Sequence, residues 1–324
     1  MVVGKWFQRA RGVLGGVMAL LLGFGASASV AEARRCGGDV PCGCGDTLRG
    51  ETQLTRDLLD CEDDGLRLKG GAVLDCRGHQ ITGRSRSEGV LLDEAVGAVV
   101  RDCRIVGFET GIRIRGGSDN QVSGNEVVSS RRYGVELARG STGNWIEANL
   151  VTGSGDEGIH VGTGADGNAV VGNEIHGSGD ENLYVLSSEG GVFAGNLLTS
   201  SGAAAVYLKH SSNNLFTANE VRGHVVHVRG HSTENLFERN RVEEGRFVFD
   251  AYKDREHPAS VKGWTRPTEN RVVGGAVFDT RKCFQFKGVT DNHVEGVRAN
   301  GCKARTQSKK GGVKSKRNGV SLVP

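Results

Sequence analysis

NQVSGNEV (residues 120–127), NWIEANLV (144–151), NAVVGNEI (168–175), GVFAGNLL (191–198), NLFTANEV (214–221) and NLFERNRV (235–242) are six copies of one phrase, Asn-x-apolar-x-x-Asn-x-apolar. The closing asparagines Asn125, Asn149, Asn173, Asn196, Asn219 and Asn240 follow one another at 24, 24, 23, 23 and 21 residues. A fixed period in the low twenties predicts a solenoid, in which each unit buries its apolar face against the next.

What fills the period predicts which solenoid. Between the asparagine phrases lies a second short segment with alternating apolar residues: Ile112/Ile114, Val135/Leu137, Ile159/Val161, Leu183/Val185, Val206/Leu208 and Val226/Val228. Alternation at period two is the mark of a half-buried strand, and no stretch within the repeats carries a helical stripe. Leucine-rich repeats share the period but have one strand per unit and a Leu-rich consensus; each unit here has two or three strands. Coils stacked at the spacing of paired strands, about 4.8 Å, bring the asparagines into register, where their amides can bond along the stack. Asn also tolerates the left-handed backbone that a tight corner demands. Composition agrees, with 51 glycines, 4 prolines and 6% aromatic residues in 324. Many corners and few bulky groups suit a thin core column of Val, Ile and Leu better than a broad globular core.

Over roughly residues 66–302 the chain resembles the right-handed parallel β-helix repeat family, the pectate-lyase-like and carbohydrate-binding β-helix superfamily. The expected fold is all-β, a single-stranded right-handed parallel β-helix of about nine to ten coils with a disulfide-linked N-terminal cap. GAVLDCRGHQITG (71–83) resembles the first coil of many such proteins. His79 within it reads as a turn residue with no acid partner nearby.

The expected organisation has four parts. Residues 1–33 carry Lys5, Arg9 and Arg11, an apolar run from Val13 to Phe24, and two small-residue cleavage sites, Ala26-Ser27-Ala28 and Ala31-Glu32-Ala33. This is the pattern of a signal peptide, and the run is short for a membrane span. The mature protein is therefore expected to be secreted, periplasmic or on the cell surface, without a transmembrane span. Residues 34–68 form a Cys-rich cap, 69–303 the β-helix with a loop insertion at 250–269, and 304–324 a basic disordered tail. That tail holds six bases and no acid, more than the whole chain's formal charge of +3, so the remainder is net acidic. A basic tail suits an anionic cell-wall polymer or plain solubility. Nucleic acid is not expected as a partner of an exported chain.

An even number of cysteines in an exported chain reads as disulfides. Cys76 and Cys103 take the place of the repeated asparagine in the two earliest coils, and Cys283 and Cys302 open successive strands one coil apart. The expected bridges are Cys76–Cys103 and Cys283–Cys302, with Cys36, Cys42, Cys44 and Cys61 paired among themselves. A zinc site at Cys42-Gly43-Cys44 lacks a second half at metal-ligand spacing.

Function is sought on the outward face, where the residue between two inward side chains points to solvent. Down the stack this predicts a column of Arg113, Glu136, His160, Tyr184, Tyr207 and His227, with Arg115, Lys209 and Arg229 one step further on. Rings and bases in one column suit a long polar ligand: Tyr as a platform for sugar rings, Lys and Arg for carboxylates or sulfates. Ordinary cross-strand pairing on a solvated face is the plainer alternative. GSGDE occurs at 153–157 and again at 177–181, so Asp156 should stack near Asp180 and Glu157 near Glu181. Three readings of these four carboxylates stand: pairing with the Arg131/Arg132 corner of the preceding coil, a Ca²⁺ site, or a carboxyl of raised pKa for acid catalysis.

The expected ligand is thus a polysaccharide or cell-surface glycan. Candidate catalytic residues are His160, Tyr184, Tyr207, Lys209, Asp156 and Asp180; candidate binding residues are Arg113, Glu136, His227 and Arg229. Glycoside hydrolysis and proton abstraction beside a uronate carboxylate both fit this set, and the resemblance implies lyase or C5-epimerase chemistry. The Asp-Pro-His motif of mannuronan epimerases and the Gly-His-Gly of polygalacturonases are absent. SGDE and YLK (Tyr207–Lys209) echo the remaining polygalacturonase motifs, and no family catalytic residue carries over. The alternative function is a structural or surface-display solenoid, or a periplasmic scaffold or maturation factor.

Overall fold

The computed structural model describes residues 35–84, 86–138, 140–307, 309–310, 313–315 and 317–323; the expected signal peptide lies outside them. These residues form a right-handed parallel β-helix. One sheet takes one strand from each coil and runs to thirteen strands, among them Leu66–Leu68, Glu88–Asp93, Thr110–Arg115, Val135–Leu137, Ile159–Val161, Leu183–Leu186, Val206–Lys209, Val225–Arg229, Arg246–Asp250 and Lys282–Lys287. The other strands come two to a coil, such as Gln121–Ser123 and Glu126–Val128, each paired in parallel with its counterpart one coil on. No α-helix occurs among the described residues.

Register turns the sequence repeat into three buried columns. Val90, Ile112, Val135, Ile159, Leu183, Val206 and Val226 align on the first sheet. Val122, Ile146, Val170, Phe193, Phe216 and Phe237 make the second. Ile105, Val127, Val151, Ile175, Leu198, Val221 and Val242 make the third. The core is less purely aliphatic than expected. Phe193, Phe216 and Phe237 stack at centroid spacings of 4.5 and 4.8 Å, and Phe247 and Phe249 stack on Phe284 and Phe286. Parallel registration puts equal rings above one another at a coil's spacing, so the bulky groups are concentrated late in the stack.

The asparagines bond as two ladders, one of them broken at a single coil. Asn173 Nδ2 and its backbone N–H both donate to Asn196 Oδ1, at 3.1 and 2.9 Å, while Asn173 Oδ1 accepts from Asn149 in the same way. The first ladder runs Asn120–Asn144–Asn168, is interrupted at Gly191, and resumes Asn214–Asn235–Asn270–Asn292. One detail of the expectation is corrected. The left-handed residues are those just before the ladder asparagines, including Asp119, Ala148, Asn213, Ala218, Glu234 and Arg239. The ladder asparagine itself directs its amide to the neighbouring coils, and the corner falls one residue earlier.

The cysteines pair as Cys36–Cys42, Cys44–Cys61, Cys76–Cys103 and Cys283–Cys302. Cys103 begins the second ladder in place of an asparagine, donating its backbone N–H to Asn125 Oδ1. The stack is longer than nine or ten coils because both ends contribute strands. Asp46–Leu48, in the cap segment, pairs in parallel with Leu66–Leu68, so the cap is already part of the sheet. The segment read as a disordered tail holds Lys303–Gln307 and Gly319–Val323, which pair with Lys282–Lys287 and His293–Ala299. Asn318 explains the difference: it accepts from the Asn292 backbone at 3.1 Å and opens one more copy of the phrase. His79 is also corrected, since its Nδ1 lies 2.9 Å from Asp57 Oδ1 on the coil before.

Candidate functional site

The predicted outward column exists residue for residue. Arg113, Glu136, His160, Tyr184, Tyr207 and His227 occupy successive registered positions on the first sheet, each flanked by two core side chains. Parallel strands without a bulge hold one column in line over six coils, which is how residues more than a hundred positions apart reach one strip of surface.

Rings dominate its middle. Tyr133 joins the column from the preceding corner and stacks on His160 at 4.6 Å; His160 meets Tyr184 edge-on at 5.3 Å, Tyr184 stacks on Tyr207 at 5.2 Å, and Tyr207 meets His227 at 5.1 Å. The role expected of the tyrosines changes accordingly. At these spacings the faces of Tyr184 and Tyr207 cover each other. What they offer outward is a row of edges and polar tips, a hydrogen-bonding strip rather than a stacking platform. Tyr133 was missed from sequence; the visible signal was its alignment with the GSGDE corner of the next coil.

On one flank is the acid corner, and only part of it matches expectation. Arg132 Nε lies 3.2 Å from Asp156 Oδ2, so that carboxylate is already paired. Asp180 forms no salt bridge among the described residues. Glu157 is buried, with Oε1 at 3.8 Å from His160 Nδ1 and Oε2 lacking a hydrogen-bond partner; His160 Nδ1 lacks one too. Burial, then the charges of Glu157 and Asp180, raise the Glu181 carboxyl to about 7. Burial also raises the neighbouring Tyr184, keeping its phenol protonated. The structure gives no support to the calcium reading of Asp156, Glu157, Asp180 and Glu181. Among the described residues no group of three or more His, Cys, Asp or Glu side chains converges as metal ligands, and an ion of calcium's size needs six to eight oxygens.

The cations divide by position. Arg113 is engaged by Glu88 at 2.8 Å and Glu136 at 3.0 Å, and Arg115 by Asp93 at 2.7 Å. Lys209 and Arg229, adjacent in register, make no salt bridge with a carboxylate among the described residues. Both lie instead over the ring of Tyr252, at 4.4 and 4.7 Å. Arg229 Nη1 also donates to the Tyr207 hydroxyl at 3.1 Å.

Tyr252 comes from the insertion at 250–269, which is folded as a hairpin, Tyr252–Lys253 against Trp264–Thr265. The insertion packs against the last residues of the outward face. His257 stacks on His210 at 4.6 Å, and Asp254 Oδ2 lies 3.2 Å from His210 Nε2. Burial, and the neighbouring His257 and Lys209, push His210 down to about 4.

Three solved structures show the breadth of the likeness. The Azotobacter vinelandii mannuronan C-5 epimerase AlgE6 A-module is 13% identical, with a TM-score of 0.52 over 87% of this chain and 82% of its own. The periplasmic alginate epimerase AlgG is 16% identical, TM-score 0.53, over 86% and 77%. The catalytic domain of a GH87 alpha-1,3-glucanase is 10% identical, TM-score 0.55, over 86% and 64%. At such identities these establish the shared β-helix alone. No curated protein matches by sequence. Residues 49–252, more than half of the chain and spanning the whole ring column, match the family described as periplasmic copper-binding protein (NosD), and the chain belongs to that family.

Proposed function

We propose that this protein engages a polysaccharide in the periplasm, laid along the outward column from Tyr133 to His227. The observation that carries this reading is the unbroken series of Tyr and His side chains on five consecutive coils. A solvated face without a ligand has no physical need for polar-tipped rings in register, and a long polymer meets a repeated site at a repeated spacing. The flanks supply the rest: a carboxyl at Glu181 that exchanges a proton near neutrality, and cations at Lys209 and Arg229. Candidate acid–base groups are therefore Glu181 and His160, with Glu157 orienting the imidazole.

The copper in the family's description is tested against the donors present. All eight cysteines are in disulfides. The histidine group nearest to a site is His210, His231 and His257. His210 Nδ1 accepts the His231 backbone N–H at 3.0 Å and its Nε2 faces Asp254, while His257 Nδ1 accepts the Ala259 N–H at 3.1 Å. His210 and His257 are stacked at 4.6 Å with 13° between planes, so their in-plane nitrogen lone pairs lie in separate, near-parallel planes, and no metal-holding group occurs among the described residues. These residues do not fit a copper ion.

The test is a glycan panel on the mature protein, with binding followed by calorimetry and ultraviolet absorbance. Binding that is lost in Tyr184→Ala and Tyr207→Ala supports the reading, and rising absorbance on a polyuronate would identify a lyase. Binding unchanged by both substitutions, or silence across the panel, would move the assignment to a structural solenoid.

A further inference from the structure

One register position beyond the ring column, Lys209 and Arg229 stand next to each other, with Asp250 and Lys287 following. Elsewhere on this face the arginines are neutralised: Arg113 by two glutamates, Arg115 by Asp93, Arg132 by Asp156. Lys209 and Arg229 have neither arrangement among the described residues, and the nearby Asp250 faces His227 at 3.8 Å. The ring of Tyr252 lies under both cations. A ring face attracts a cation without cancelling its charge as a carboxylate would. Arg229 Nη1 bonds the Tyr207 oxygen, so the Tyr207 proton is left to donate outward. Arg229 Nε is buried with no hydrogen-bond partner.

An ammonium, a guanidinium and a phenol O–H therefore bring donors together in one place, and neither cation has a salt bridge to a carboxylate among the described residues. Planar fork geometry in the guanidinium suits a carboxylate, which takes two parallel N–H bonds. We propose that Tyr207, Lys209 and Arg229, backed by Tyr252 from the insertion, form a subsite for the carboxylate of an acidic sugar.

This deepens the polysaccharide reading by naming the substrate class, and it rests on that reading. The insertion serves the subsite directly, since the hairpin brings the Tyr252 ring to the two cations. The uronate ring would then lie toward Tyr184 and the Glu181 corner, with its charge anchored at the other end of the strip.

The experiment compares polygalacturonate with its fully methyl-esterified, uncharged form at constant ionic strength, by calorimetry, on wild type, Lys209→Met and Tyr252→Leu. Thermal melting of each variant checks its fold. Wild type is expected to prefer the free acid at least about tenfold, since a charge-assisted pair is worth ~1.5–3 kcal/mol. Lys209→Met should lose most of that preference while still binding the ester, and Tyr252→Leu should weaken it. Equal binding of the two polymers, or a preference that survives Lys209→Met, would overturn the subsite and leave the polysaccharide reading standing. If neither polymer binds, saturation-transfer NMR with sodium galacturonate separates the two ideas. A signal in wild type that Lys209→Met abolishes upholds the subsite and overturns the polymer reading; no signal overturns both.

Discussion

Glu181 stands one coil on from Glu157, and burial together with the charge of Glu157 raises its carboxyl to about 7. The relationship is a direct product of the duplicated GSGDE corner: a repeat that reproduces an acid also stacks it on itself. Like charges at coil spacing cannot both ionise freely in a half-buried corner.

The linkage has a definite sign. A carboxyl whose folded pKa lies above its unfolded value near 4.5 holds its proton more tightly in the native state, so the native state loses ground as pH rises from about 4.5 through about 7. Glu181→Gln removes that slope. Melting temperature measured against pH should be flatter between 5 and 7 in the variant; an unchanged profile would show that Glu181 titrates normally.

His210 gives the opposite slope. Its folded pKa of about 4 lies below the unfolded 6.5, so its contribution is complete above 6.5 and is lost as pH falls toward 4. Protonating His210 also sets a charge against His257 in the insertion and against Lys209, which precedes it in the chain; Asp254 partly offsets this, and His231 adds to it. Acidification should therefore loosen the hairpin at 250–269 before the body. Hydrogen-exchange protection at Asp254 and Trp264, corrected for the intrinsic pH dependence of amide exchange, is expected to fall at pH 4.5 in wild type and to hold in His210→Asn.

The asparagine ladders predict a stability contrast. Asn173→Ala strands the buried Asn149 backbone N–H and one of the two N–H groups of its side chain, and the backbone acceptor at Ile146 loses its donor. Leaving such groups unsatisfied costs ~1–3 kcal/mol each. Urea unfolding should show Asn173→Ala well below wild type, while Gln121→Ala, on the exposed side of its strand, stays within about 0.5 kcal/mol.

Cys76–Cys103 closes a separation of 27 residues at the start of the second ladder. By the chain-entropy account such a loop contributes about 3.5 kcal/mol. Cys76→Ser with Cys103→Ser should lower the urea midpoint by a corresponding amount; an unchanged midpoint would mean that the ladder alone holds this end.

Arg113 tests which cations serve the ligand. Because Glu88 and Glu136 already hold it, Arg113→Leu should cost stability through two uncompensated carboxylates, and leave glycan affinity within about twofold of wild type. A loss of affinity comparable to that of Lys209→Met would place Arg113 in the binding strip.

The sequence alone determined the architecture and its register. A 21–24-residue phrase with asparagines at constant places admits one economical packing, stacked coils with amide ladders, and alternation then names the outward residues down to His160 and Tyr207. Local spacing suffices there because a parallel stack repeats every contact at the same offset. Tertiary structure decided what the periodic pattern does not encode. Side-chain direction at the corners separated a paired Asp156 from a proton-retaining Glu181, and ring orientation turned the tyrosines' faces toward each other. The insertion at 250–269 breaks the period, so nothing in the spacing could foretell that it folds back to set Tyr252 against Lys209 and Arg229. A repeat fixes the place of a residue in the stack. Which neighbour its last few bonds reach depends on rotamers, charge and burial, and these exist only once the coils have closed on one another.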